Sequence, residues 1–385
     1  MKEYNVRQNI FFKYLLYIFL LIPFFKIPYL VYKYDFVDDI YKIWQIISGF
    51  IILLIILKNG TFSKIIGYIL LFLFTMFLSS IINSQSLLNI ISFVFHVFVL
   101  CLVVDYGISN DTKLFLNSFE MLLSILICVN FLTVITYPEG MYINNLGFRY
   151  NWLLGYKNSH ISYVMPAIFI SFINSYYTFN KLKLRNILLL IISIISTIMV
   201  DNSTGLFALS LISCFLLLSK LFKKRKNILN IFSYSIINIS LFFGIVIARV
   251  QNYFSTIIVD VLHRDLTFTG RTYIWDKVLL MIQRSKIFGY GKTFQYTDTI
   301  VSSHNQILEI LYKNGILGLI GYLLVVFNSF RELWKYREYK VVQFMSFIMF
   351  TYFVMMLTEA YSHEYIIYLY VICYHTKFLV KEKNV

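Results

Sequence analysis

Arg271, Trp275, Tyr290, Lys292, His304 and Asn305 crowd into one polar stretch, residues 249–305, of a chain that is otherwise mostly apolar. An arginine fork holds two oxygens of a phosphate at once, and an imidazole takes a proton near neutral pH. Ser303 stands three residues before Gln306, the spacing of a capping box, just ahead of the apolar run from Ile307. That spacing predicts His304 at the first position of a helix, beside unpaired backbone N–H groups and the positive end of the helix dipole. A cation is disfavoured there, so the histidine is expected to stay neutral, and the same N–H groups attract an anion. A base beside an anion holder is the chemistry of glycosyl transfer from a diphosphate-linked donor. A histidine that merely ends a loop is an equally good local reading.

A second polar loop, 137–160, carries Arg149, Trp152, Lys157, Asn158 and His160. Arg149 joins Arg271 as a fork for a diphosphate, and Trp275, Tyr150 and Trp152 are placed to support a guanidinium or to stack on sugars. The alternative is that both arginines touch anionic headgroups within an interfacial aromatic belt. Lys277, Arg264 and Arg284 read as solvated charges beside Lys292. Asp35, Asp38 and Asp39 form an acidic cluster that suits a divalent ion, a base or plain topological bias. Glu120 and His96, in or near apolar blocks, are the residues a transporter relay would use.

The elements that must hold these residues are apolar. The chain is 59% hydrophobic and 14% charged, a balance that excludes a soluble domain of 385 residues. Its apolar residues come in blocks of membrane-crossing length. About twelve are expected, at 11–30, 40–57, 64–82, 87–104, 114–136, 161–179, 186–200, 205–222, 229–248, 306–330, 341–358 and 365–380. This reads as an all-α polytopic membrane domain over 1–385, with 249–305 as its large extracytoplasmic loop and 137–160 as a second one. Lysine and arginine gather in the alternate short connections, including Lys223-Lys224-Arg225-Lys226, which predicts cytoplasmic N- and C-termini. That distribution orients a chain in a membrane and argues against nucleic acid, despite the net charge of +15. The connection Asp105–Lys113 fits least well, having little positive charge.

Within 249–305, Thr269 is positioned to cap a short interfacial helix through Ile274, Val278 and Ile282, ended by the Gly289-Tyr290-Gly291 turn. Arg271 and Trp275, four apart, would share a face near its start. The four cysteines lie far apart within apolar blocks, so neither a disulfide frame nor a metal cluster is expected.

The order Gly270-Arg271, Trp275, Gly289-Tyr290-Gly291, Ser303-His304-Asn305 and Gly315-Ile316-Leu317-Gly318 resembles the large loop and following helix of the O-antigen ligase and polymerase family. That family includes the Wzy-type polymerases of capsule and exopolysaccharide. Gly155-Tyr156-Lys157-Asn158 and Asn202-Ser203-Thr204-Gly205 sit where it tends to have polar loops, although Thr204 stands where an arginine is frequent. The resemblance implies a metal-independent, cofactor-free glycosyltransferase of the membrane-embedded GT-C-like class in a bacterial plasma membrane. Its donor would be a glycan on undecaprenyl pyrophosphate, with a flippase and a chain-length regulator as pathway partners. Under it Arg271 and Arg149 hold the diphosphate and His304 is the base. Asn158, Trp275, Tyr290, Lys292 and Asn305 then line the substrate. The product would be a polymer of repeat units formed with inversion, or a glycan passed to another surface acceptor. A lipid-linked oligosaccharide flippase is the competing class, but no half-to-half repeat supports it.

Overall fold

The computed structural model describes residues 2–60, 62–144, 147–218, 230–254, 270–292, 302–361 and 366–380. Thr269, Arg264, Glu364 and the Lys223–Lys226 cluster lie outside them. The described chain is almost wholly helical. Its helices are α1 (Lys2–Leu21), α2 (Pro28–Lys33), α3 (Phe36–Asn59), α4 (Lys64–Ile82), α5 (Leu87–Thr136), α6 (Lys157–Phe179) and α7 (Leu184–Met199). They continue with α8 (Ser203–Leu218), α9 (Ile231–Leu241), α10 (Arg271–Arg284), α11 (Gln306–Lys335), α12 (Lys340–Met356), α13 (Ile367–Tyr374) and α14 (Thr376–Leu379). A two-stranded antiparallel hairpin, Asn151–Trp152 with Gly155–Tyr156, sits in the loop before α6.

The apolar blocks fall on helices, but of unequal length. Among the described residues, four are long and apolar enough to cross a membrane: Phe36–Lys58, Lys64–Ile82, Leu87–Thr136 and Gln306–Lys335. Five shorter apolar helices accompany them. The expected connection Asp105–Lys113 is not a loop. Helix continues on both sides of a single break at Asp111, where φ is −132° and ψ 47°. A straight helix of 50 residues would run about 75 Å, far beyond a hydrocarbon core of about 30 Å. The chain instead folds back, so that the Phe115 ring lies against Gly107, where any larger residue would collide with it.

Contacts between connections sort into two sets. At one end Lys13 pairs with Asp111 at 3.1 Å, Arg185 with Glu120 at 3.0 Å, and His375 with Asp105 at 2.6 Å. Ser63 also donates to Asp105. At the other end the Asn83 amide donates to the Gly289 carbonyl at 3.1 Å, Lys157 pairs with Asp201 at 3.1 Å, and the Tyr29 N–H donates to the Leu153 carbonyl. The connections joined by these contacts fall alternately in the two sets along the chain, the up-and-down path that crossing helices require.

Apolar burial does little to join helices inside lipid, because lipid tails are as apolar as leucine; close packing and polar contacts matter more. Both are present. Gly321 of α11 sits on the Phe72 backbone of α4, and the hydroxyls of Tyr322 and Tyr370 meet at 2.6 Å between α11 and α13. Glu120 of α5 accepts from Ser171 and Asn174 of α6 and from Arg185 and Asn186 of α7. Glu120 is thereby a three-helix joint at the end away from His304.

Candidate functional site

The polar stretch is organised by a break in α11. Gly315 takes φ 64° and ψ −166° inside that helix, a region open essentially to glycine alone. The break frees backbone groups on either side, and the turn after α10 satisfies them. Ile316 N–H donates to the Lys286 carbonyl at 2.8 Å and Leu317 N–H to that of Ile287, while Tyr290 and Gly291 donate to the carbonyls of Tyr312 and Lys313. The approach is so close that a Cβ on Gly315 would lie 2.1 Å from the Ile287 carbonyl oxygen. Gly289 is equally confined, against the backbone of Tyr312 and Lys313. The Phe288-Gly289-Tyr290-Gly291 turn and the glycine that follows His304 at a distance are thus one device. It docks α10 on α11.

Trp275 completes the docking. It is fully buried with Val246, Val278, Leu308 and Tyr312, and its indole N–H donates to the Ser303 carbonyl at 3.0 Å. The guanidinium over its ring is that of Arg249, at 5.1 Å, and not that of Arg271. Tyr290 stacks on Tyr312 with centroids 5.0 Å apart and donates its hydroxyl to the Met281 carbonyl. A helix through Ile274, Val278 and Ile282 is present, but Gly270, at φ 82°, takes the N-cap place expected for Thr269, and α10 starts one residue later, at Arg271.

One expectation is corrected at the start of α11. His304 is not the first residue of the helix. Asn305 is the N-cap: its side-chain oxygen accepts the Leu308 N–H at 3.0 Å, and its amide donates to the Leu357 carbonyl at 3.0 Å. The expected capping pair fails because Ser303 is used elsewhere. Its N–H and hydroxyl both donate to the carboxylate of Glu309, at 2.8 and 2.6 Å. His304 therefore stands just outside the helix in a left-handed conformation, φ 50°, uncommon for a side-chain-bearing residue. The dipole argument for its neutrality lapses with that position.

A carboxylate lies beside the imidazole instead. Glu359, just past α12, accepts from the Arg271 guanidinium on one oxygen and meets His304 Nδ1 at 3.1 Å with the other. The three side chains are 19, 14 and 35% exposed for Arg271, Glu359 and His304 respectively. A carboxylate on Nδ1 fixes that nitrogen as the donor and leaves Nε2 as the free lone pair. Beside them Tyr361 is buried, and burial, reinforced by the Glu359 charge and opposed by Arg271, holds its phenol well above the usual range. It is a hydroxyl here, not a phenolate.

The remaining predicted residues divide. Lys292 lies over the Phe93 ring and lines a cavity of about 230 Å³ with Ser302, Glu309 and Tyr361. Arg149 and Asn158 are exposed. The Arg149 guanidinium has no ion pair or hydrogen bond with any described residue, and nothing described joins it to Arg271 or His304. Lys157, next to Asn158, spans from Asp201 to the Tyr150 ring, and Asn202 donates to the Lys157 carbonyl. The two loops matched by resemblance, 155–158 and 202–205, thus meet each other. Asp38 and Asp39 are taken up by Lys26 and Lys42. Glu359 was the residue the sequence did not single out, being one acid among several at outer helix ends.

Residues 188–323 match the family model described as O-antigen ligase. The match covers 136 of the 385 residues, and over that segment the chain is similar to this family. The matched segment contains Arg271, Trp275, Tyr290, Lys292, His304 and Asn305; Arg149, Asn158 and Glu359 lie outside it. No curated protein and no solved structure matches the chain.

Proposed function

We propose that this chain polymerises oligosaccharide repeat units carried on undecaprenyl pyrophosphate, on the outer face of a bacterial plasma membrane, its helices making about twelve crossings with both termini in the cytoplasm. The observation that carries the reading is the Arg271–Glu359–His304 arrangement, in which one carboxylate holds a guanidinium and an imidazole from two separate segments. In the reaction His304 Nε2 takes the proton of the acceptor hydroxyl. That oxygen attacks the anomeric carbon of the donor from the face opposite the diphosphate, the bond to the diphosphate oxygen breaks, and the configuration inverts. Charge grows on the leaving diphosphate, and Arg271 stabilises it. Glu359 orients the imidazole and stabilises the imidazolium that forms, as a carboxylate partner does in other base dyads. No step calls for a metal. Trp275, Tyr290 and Asn305 act by holding the segments in register, and Lys292 faces the substrate.

A second reading, transfer of the glycan to a different surface acceptor, is favoured by the description of the matched family model. One assay addresses both. Protein in nanodiscs receives the lipid-diphosphate-linked repeat unit of the producing strain, and products are resolved as a gel ladder. Wild type is expected to give a ladder that falls about 10²–10⁴-fold in His304→Ala and comparably in Arg271→Ala, with both variants folded. An undiminished ladder in His304→Ala would remove the proposed base. Transfer that stops after a single step onto a separate acceptor would favour the second reading.

A further inference from the structure

The cavity of about 230 Å³ beside the arginine–histidine pair is bounded by α4, α5, the start of α11 and the segment after α12. Two of its walls are sequence neighbours of the reacting groups: Ser302 accepts the His304 N–H at 3.1 Å, and Ala360 follows Glu359. Its polar lining is mixed in sign. Lys292 and Lys313 bring ammonium groups and Glu309 a carboxylate, which pairs with Lys313 at 2.7 Å. Two further groups are buried and unspent. Asn314 is 1% exposed and Tyr361 8%, yet Oδ1 of the first and the hydroxyl of the second have no hydrogen-bond partner among the described residues. Burying such atoms without partners is costly, so a pocket that does so is built for something that supplies them. Turning the Asn314 amide would present its NH2 in place of the oxygen, and a hydroxyl group can satisfy either. Phe93 and Met76 provide an apolar wall.

We infer that this cavity is the acceptor-sugar subsite, with Asn314 and Tyr361 as the residues that recognise the acceptor's hydroxyl groups. The inference rests on the transferase reading above and adds to it where the nucleophile sits. A ligand for this lining needs donors and acceptors on one small body with an apolar face, which describes a sugar ring. A diphosphate suits the lining less well, because the Glu309 carboxylate would repel it and its charge gains nothing from the wall of Phe93 and Met76. The cavity's position then brings one acceptor hydroxyl toward the unoccupied Nε2 of His304, while the donor's diphosphate meets Arg271 from outside.

The test uses full-length protein in nanodiscs, the lipid-linked repeat unit as donor at fixed concentration, and a water-soluble glycoside of the same repeat unit as acceptor. Lipid diphosphate released is the readout. Asn314→Ala and Tyr361→Phe are expected to raise the acceptor concentration for half-maximal rate by tenfold or more, with the donor's value unchanged. A shift in the donor value alone would reassign the cavity to the diphosphate. No shift in either would leave it a structural void and sink the proposal. Equilibrium binding of the glycoside, followed by ligand-observed NMR, separates this idea from the transferase reading. Binding that depends on Asn314 without any transfer would keep the subsite and refute the reaction. Transfer with binding indifferent to Asn314 and Tyr361 would do the reverse. Tyr361→Phe keeps the ring and its packing, which guards against a folding defect in place of lost recognition.

Discussion

Two polar loops stand at the same end of this bundle, and they use similar residues to different ends. Loop 137–160 has an arginine, a tryptophan, a lysine and a histidine; the stretch 270–305 has the same set. The first spends its polar atoms on itself. Asn151 donates to the carbonyls of Tyr142 and Phe148, Trp152 donates to the Tyr137 carbonyl at 2.7 Å, and His160 is buried against Ser196. Arg149 is left exposed at its tip. The second spends backbone on docking and keeps side chains for a shared carboxylate. Its arginine and histidine are half-sheltered and joined through Glu359. Residue type alone does not separate a site from a folded loop. What separates them here is one carboxylate that joins the arginine to the histidine, and it sits on a third segment.

The largest effect that would break this contrast is at Glu359. Glu359→Gln keeps the size but removes the charge that both Arg271 and His304 use. Misorientation of a reacting group can by itself cost on the order of 10²-fold, and at least that loss of ladder synthesis is expected. Arg149→Ala is expected to stay within about a factor of two, the usual range of a solvated surface change. Should the two variants fall together, Arg149 belongs to the site in the substrate-bound state and the contrast fails.

This pair of outcomes also measures how far the sequence could be read. The apolar blocks, the short helix near Ile274, Val278 and Ile282 and the residues around Arg271 and His304 were legible, because period and spacing are local properties. Glu359 was not. An acid at the end of an apolar run is what charge bias also produces, and only the packing of α12 beside α11 brings it to His304. The cap of α11 was misread for a related reason. Ser303 and Gln306 have the spacing of a capping box, but Glu309 draws the serine away and Asn305, two residues on, takes the cap. Local rules placed the helix correctly to within two residues and still put the histidine on the wrong side of its boundary. Arg149 was nominated for its guanidinium fork on a polar loop, and among the described residues no contact joins it to Arg271 or His304.

A smaller effect is expected from the glycines. Gly315→Ala would force a side chain into a conformation that costs about 1–3 kcal/mol, and its Cβ would meet the Ile287 carbonyl carbon and oxygen besides. Neither neighbour is a flexible side-chain end, so α10 must lift from α11. Thermal unfolding in detergent should show a lower midpoint, and ladder synthesis should fall with it. Gly140, at φ 97° and equally tight against the Arg149 carbonyl, is the control in the other loop. Gly140→Ala should lower stability in the same way yet leave the activity of the folded fraction intact. Equal activity losses per unit of destabilisation would mean that the two loops share one function.

The smallest effect sharpens the contrast by asking what the tryptophans are for. Trp152 and Trp275 are both buried, and each donates its indole N–H to a backbone carbonyl, of Tyr137 and Ser303 respectively. A phenylalanine at either place keeps most of the apolar contact and drops that bond, at a cost of about 1 kcal/mol, the usual net worth of one hydrogen bond. The two should therefore look alike in unfolding. They should differ in rate, because the carbonyl held by Trp275 belongs to the residue next to His304, and the one held by Trp152 belongs to a residue with no link to the site. Trp275→Phe is expected to slow transfer several-fold, about the rate equivalent of 1 kcal/mol, with the acceptor and donor half-saturation values little changed. Trp152→Phe should leave the rate alone. If Trp275→Phe instead raised the substrate concentrations needed and spared the maximal rate, the indole would be touching sugar, and its place would be in the binding surface and not behind it.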